Sequence, residues 1–220
     1  MNALPTTDHV VSPAAATQPW TLSRILLTIG AAGPIVFLGV ATLAGLLAPG
    51  YDMRTQPISE LAVGPNGWLQ TANFYIFGLA IIAFALGLFR SLPRGSWVGT
   101  GLLIIAGLGI IGSGVFPTDL KGAPETDAGG LHNLLFLVLF LALIVSYIFS
   151  ALSFRKLAGW RAYTWATALM PLVVFGLLFV YVGFGSDVGD PLYAVSGLIQ
   201  RLLLAVAFGW MSVTGWRLRA

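Results

Sequence analysis

The sequence predicts an all-α polytopic membrane protein: a bundle of six transmembrane helices with both termini in the cytoplasm. Three observations carry this. Of 220 residues, 57% are hydrophobic and only 9% are charged, with a mean hydropathy of +0.89, whereas an ordinary soluble domain carries about 25% charge. The apolar residues gather into six runs, each close to the roughly 20 residues that cross a hydrocarbon core. The basic residues also partition between alternate connections. Together these exclude a cytosolic enzyme, a nucleic-acid-binding module and a disordered chain.

The runs fall at about 25–48, 72–92, 97–116, 131–153, 163–185 and 192–216. Before them, residues 1–23 are rich in Pro, Ala and Thr and read as a flexible cytoplasmic tail, leaving 24–220 as the membrane domain. The start has no basic n-region, and the first run is too long for a signal-peptide core.

Span 1 carries Pro34 and span 5 carries Pro171, both candidate kinks. Span 3 is rich in glycine. Gly109 and Ser113 form a small-xxx-small pair, and Gly107 and Gly114 stand two turns apart. Small residues let helix backbones approach closely, so span 3 is expected at the centre of the bundle, its glycines serving helix packing. No internal repeat supports an inverted-repeat transporter.

Orientation follows from the charges. Arg24, Arg90, Arg94, Arg155, Lys156, Arg161, Arg217 and Arg219 are eight of the eleven basic residues, and all lie on the side of the termini. The other side has Arg54 and Lys121 in its loops. The positive-inside rule puts the first side in the cytoplasm of a cell (plasma) membrane. Seven of the eight acids, Asp52, Glu60, Asp119, Glu125, Asp127, Asp187 and Asp190, fall outside. The outer face is therefore the chemically rich one.

Three outer segments stand out. The first runs from Tyr51-Asp52-Met53-Arg54 through Ile58-Ser59-Glu60-Leu61 to Gly64 and Gly67-Trp68. Ser59 suits the cap of a short helix toward Val63 that Gly64 ends, and Trp68 suits the membrane interface. The stretch reads either as a lid or as a loop folded over the bundle. The second is Phe116-Pro117-Thr118-Asp119, where Pro117 stops span 3. The third is Asp127-Ala128-Gly129-Gly130-Leu131-His132. Asp127 reads as the helix N-cap; His132, in the first turn of span 4, reads either as a hydrogen-bonded interfacial side chain or as a proton carrier.

Arg201 lies about ten residues into span 6, beside Gln200. An intramembrane arginine needs a partner, and an outer acid, Asp119 or Glu60 first, is expected. Its alternative role is to grip an anionic group with the guanidinium fork. Candidate catalytic residues are thus His132, Asp119 and Ser59, although no Gly-x-Ser-x-Gly turn frames the serine. Candidate ligand-binding residues are Arg201, Glu60, Asp52 and Gln200. Of these, Asp119, His132 and Arg201, with Ser59 and Glu60, are expected to converge on one outward-open polar pocket.

No cofactor and no metal are expected. The chain has no cysteine and a single histidine outside the tail. That rules out disulfides, thiolate chemistry and paired haem ligands. It also leaves Glu60, Asp119 and His132 a thin metal set. No lysine lies in a span to carry retinal.

Taken together, Tyr51-Asp52, Ile58-Ser59-Glu60-Leu61, Gly64 with Gly67-Trp68, Phe116-Pro117-Thr118-Asp119, Gly130 with His132, and Arg201 in the last span resemble the prokaryotic membrane family of domain of unknown function 998. The resemblance covers spans 1 to 6 and implies a six-helix membrane protein without an attached activity. A looser similarity, on Ile58-Ser59 and His132, is to eukaryotic six-helix proteins that include autophagy modulators and a lipid-remodelling factor of GPI anchors; it implies lipid chemistry. Three functions are weighed. The first is a protein binding or processing a membrane lipid or amphiphile with an anionic group. The second is a small or proton-coupled transporter, and the third an assembly or sensor subunit. No nucleic-acid partner is expected.

Overall fold

A computed structural model describes residues 21–92, 96–185 and 187–219. Residues 1–20 of the expected tail, and Arg94, lie outside the described residues. Six helices are long and apolar enough to cross a membrane. They are α1 (Leu22–Leu47), α2 (Gly67–Ser91), α3 (Trp97–Val115), α4 (Asp127–Phe154), α5 (Arg161–Phe184) and α6 (Ser196–Arg219). A 3₁₀ helix, Ile58–Ala62, sits in the first long connection, and a second, Tyr193–Val195, precedes α6.

Proline and polar caps set the ends. α1 stops before Pro49, and Phe116 caps α3 just before Pro117, because a residue preceding proline is driven out of the helical region. Thr21 and Thr126 cap α1 and α4, their hydroxyls accepting from Arg24 N and Gly129 N. Asp127, expected as the cap of α4, is instead its first helical residue. α2 and α4 start four or five residues before the apolar runs, at Gly67 and Asp127. A helix's first turn is polar, so hydropathy alone trims it. Pro34 and Pro171 both lie inside continuous helices.

The helices run alternately up and down and pack in chain order, α6 closing against α1. Arg219 Nη1 reaches Thr28 Oγ1 at 3.2 Å, placing the two described ends of the chain side by side. This corrects the expected central position of span 3: α3 is one stave, wedged between α2 and α4. Its glycines report close approach to those neighbours, not depth. A Cβ on Gly107 would lie 2.9 Å from the Gly78 carbonyl, and one on Gly78 would lie 2.6 Å from the Gly107 carbonyl. The α2–α3 crossing therefore has room for glycine only on both sides.

The interior of the ring is filled with aromatic side chains. Phe37 stacks on Phe77 at 4.5 Å, Phe77 meets Phe208 edge-on at 4.8 Å, and Tyr147 meets Trp210 at 5.0 Å. Sparse polar ties cross between helices: Tyr147 Oη to Ala207 O at 2.7 Å, Trp210 Nε1 to Thr167 Oγ1 at 3.1 Å, and Ser212 Oγ to Ala31 O at 2.7 Å. α5 is the least enclosed helix. Leu172, Phe175 and Phe179 project outward from it, as side chains facing hydrocarbon do. Below, the end of the ring carrying the connections 48–66, 116–126 and 185–195 is called the loop end.

Candidate functional site

At the loop end the 48–66 connection folds down onto the start of α6 and is held there through its backbone. Ser196 Oγ donates to Thr55 O at 2.7 Å, Leu198 N to Arg54 O at 3.2 Å, and Arg201 Nη1 to Met53 O at 2.9 Å and Gln56 O at 3.0 Å. In return Ile58 N donates to Gln200 Oε1 at 2.7 Å. Gly197 makes the contact possible: a Cβ there would stand 2.5 Å from Gln56 O and 2.6 Å from Met53 O. A loop inside a membrane protein must have its carbonyls satisfied by the protein, and α6 supplies the donors.

Arg201 is thus partnered otherwise than expected. Its hydrogen bonds go to three carbonyls, Met53, Gln56 and Gly197, and to the Tyr51 hydroxyl, none of them to a carboxylate. Tyr51 Oη in turn faces Gln56 O and Pro57 O at 3.0 and 2.9 Å. Burial pushes the Tyr51 phenol above its ordinary range, and the Arg201 hydrogen bond partly offsets this.

Glu60 is 4% exposed. Its Oε2 accepts from Gln56 Nε2 at 2.7 Å and its Oε1 from the Lys121 backbone N at 2.9 Å. The Lys121 ammonium turns elsewhere, to Gly185 O at 2.9 Å and Ser196 Oγ at 2.6 Å. Burial lowers the pKa of Lys121, against the pull of Glu60, Asp187 and Asp190. Lys121, Gln56, Ser196 and Gly197 were not singled out from the sequence. The only signal was a Ser-Gly pair one turn before an intramembrane arginine.

The remaining candidates divide between separate places. Ser59, His132 and Gln200 meet, with Ser113, around a cavity of about 30 Å³, room for about one water. Ser59 does not cap a helix as expected: Pro57 stands at the cap of the 3₁₀ helix, and Ser59 lies within it, turned inward. His132 Nδ1 bonds Phe116 O at 2.9 Å, so Nδ1 carries the hydrogen. Gln200 Nε2 also donates to Tyr181 Oη at 3.2 Å. Asp119 is engaged elsewhere, accepting from Thr126 N at 2.9 Å and Thr126 Oγ1 at 2.8 Å, where it braces the cap of α4. Asp52 closes its own turn, accepting from Arg54 N at 2.9 Å and Thr55 Oγ1 at 3.0 Å. No group of three His, Asp or Glu side chains among the described residues could hold a metal ion.

A larger cavity of about 240 Å³ opens on the other side of the 3₁₀ helix, between the end of α1, the 48–66 connection and the start of α2. Ala44, Leu47, Leu61, Val63, Trp68 and Leu69 form its apolar wall, and Tyr51, Gln56, Glu60 and Asn66 its polar part. Arg201, Asp119, Asp52 and His132 are not among its lining residues. The expected single pocket is therefore two cavities separated by one short helix, with Ser59 facing one and Glu60 the other.

A closed ring of six apolar helices, with a loop packed into one end, defines the class: a multi-pass integral membrane protein. The profile of a family described as Protein of unknown function (DUF998) matches residues 31–217, and the chain belongs to that family. No curated protein and no solved structure matches it.

Proposed function

We propose that the protein sits in the cell membrane with both termini cytoplasmic and takes up a membrane lipid or amphiphile in the cavity beside Glu60. The observation that carries this is the cavity's two-faced lining at the loop end. Its apolar wall suits an acyl chain, and Gln56, Glu60 and Asn66 suit a polar head. The orientation is supported by the basic residues on the terminal side, which would leave the cavity in the outer leaflet.

Binding is favoured over processing. Ser59 and His132 share a cavity with room for about one water, which leaves no place there for a scissile group. Binding is also favoured over transport, because Phe37, Phe77, Phe140 and Phe208 fill the middle of the ring, each 2% exposed or less. The anionic head expected from Arg201 loses its basis, since that guanidinium is held by loop carbonyls.

The test is native mass spectrometry of the detergent-purified chain beside Ala44→Phe, which fills the cavity from α1. A lipid mass retained by the wild type and lost in Ala44→Phe is the expected result. Bare masses in both would overturn the reading and favour an assembly or sensor subunit.

A further inference from the structure

We infer that the cavity selects a lipid whose head group is a primary ammonium. The inference rests on the binding reading above and adds the chemistry of the head. Glu60 lines the cavity, and both of its oxygens accept hydrogen bonds, the pattern of an ionised carboxylate. Both donors are neutral, an amide side chain and a backbone N–H. Two cations at the same end of the fold, Lys121 and Arg201, spend their hydrogen bonds on other groups. Lys121 Nζ is bound by Gly185 O and Ser196 Oγ and lies 4.6 Å from the centre of the Tyr193 ring. Arg201 is bound by loop carbonyls and Tyr51.

A carboxylate that is 4% exposed therefore faces a largely apolar space, and among the described residues no cationic group donates a hydrogen bond to it, the Lys121 ammonium attracting it only across a gap. A buried charge left in this way gains most from a ligand of opposite sign. Each oxygen uses one of its acceptor sites and keeps another for an N–H of the ligand. This favours a primary over a quaternary ammonium, which has no hydrogen to give. The rings of Tyr51 and Trp68 line the same cavity, and an aromatic ring attracts a cation that comes over its face. An anionic head would meet Glu60 at close quarters in a low dielectric.

The experiment offers the full-length protein in detergent an equal mixture of phosphatidylethanolamine and phosphatidylglycerol of the same acyl chains at pH 7. Bound lipid is read by native mass spectrometry. The wild type is expected to retain the amine lipid over the anionic one on the order of tenfold. Glu60→Gln brings that ratio to near one. The double exchange Gln56→Glu with Glu60→Gln keeps the amide–carboxylate hydrogen bond and returns a carboxylate to the cavity lining, so it restores the preference. This separates lost charge from lost folding. Equal retention of both lipids by the wild type, or a preference for the anionic one, overturns the amine inference. If Ala44→Phe still strips the lipid in that case, the binding reading stands without it. If Ala44→Phe strips nothing, the cavity is not the site and both fall.

Discussion

Arg201 Nη2 donates to the Tyr51 hydroxyl at 2.7 Å, joining residues 150 positions apart in the chain. The same guanidinium holds Met53 O and Gln56 O, so one side chain of α6 fixes the 48–66 connection at several points. Replacing it with Leu leaves those carbonyls without their donor in a place water reaches poorly. Arg201→Leu is expected to lower stability by about 2–4 kcal/mol, read as thermal unfolding in detergent. It is also expected to speed tryptic cleavage after the exposed Arg54 by tenfold or more, through local release of the loop. Arg201→Lys should fall between, since one ammonium cannot reproduce the fork. Cleavage at the wild-type rate in Arg201→Leu would show that the strap is held by other residues.

The Tyr51 side of that contact gives a pH dependence. Burial raises the phenol's pKa more than Arg201 lowers it. The stabilisation it contributes is thus fully present below about 10, the ordinary tyrosine value, and is lost as pH rises through the higher folded value. Lys121, whose pKa is lowered, acts with the opposite sign in the alkaline range, so the measurement must be a difference. The stability gap between wild type and Tyr51→Phe should be constant from pH 7 to about 10 and shrink above it. A gap that widened there would contradict the burial of the phenol.

Gly197 makes a purely steric prediction. A Cβ at this position meets backbone oxygens of Met53 and Gln56, which belong to the strapped loop and have no rotamer with which to give way. Gly197→Ala should cost about 1–3 kcal/mol and loosen the loop as Arg201→Leu does. Gly176, in α5, has open space where its Cβ would go. There Gly→Ala should be neutral or stabilise by up to about 1 kcal/mol, since alanine is the better helix former. Equal effects at the two positions in thermal unfolding would rule out the close contact.

The six spans and the family were legible because hydropathy survives in any single sequence and the loop motifs keep their order. What the chain hid was who partners whom. Arg201 reads as half of an ion pair because carboxylates are visible in a sequence and backbone carbonyls are not. Its acceptors come from the way Met53 to Gln56 fold inward, which no residue type announces. Span 3 reads as central because glycine marks close approach, yet Gly78 and Gly107 satisfy that mark with a single neighbouring helix. Ser59 and His132 line one small cavity, and Gln200, which reads from the sequence only as the neighbour of Arg201, lines it with them. Asp119 reads as part of the same site but does not reach it, because its donor, Thr126, lies seven residues along the chain and competes locally.

His132 is where a structural and a chemical role can be told apart. Its Nδ1 holds Phe116 O at 2.9 Å, tying the end of α3 to the first turns of α4, while the rest of the ring borders the small cavity with Ser59 and Gln200. Asn can place an amide N–H close to the position of Nδ1–H but has nothing in place of Nε2. Ala loses both and enlarges the cavity. If the ring is a tie, His132→Asn should keep stability within about 1 kcal/mol of wild type, and His132→Ala should lose about 2 kcal/mol. Because the larger cavity does not include His132, lipid retention should be unchanged in His132→Asn. A His132→Asn protein that unfolds at the wild-type temperature yet alters the lipids of the cell would instead give Nε2 a chemical task, with Ser59 across the small cavity as its partner.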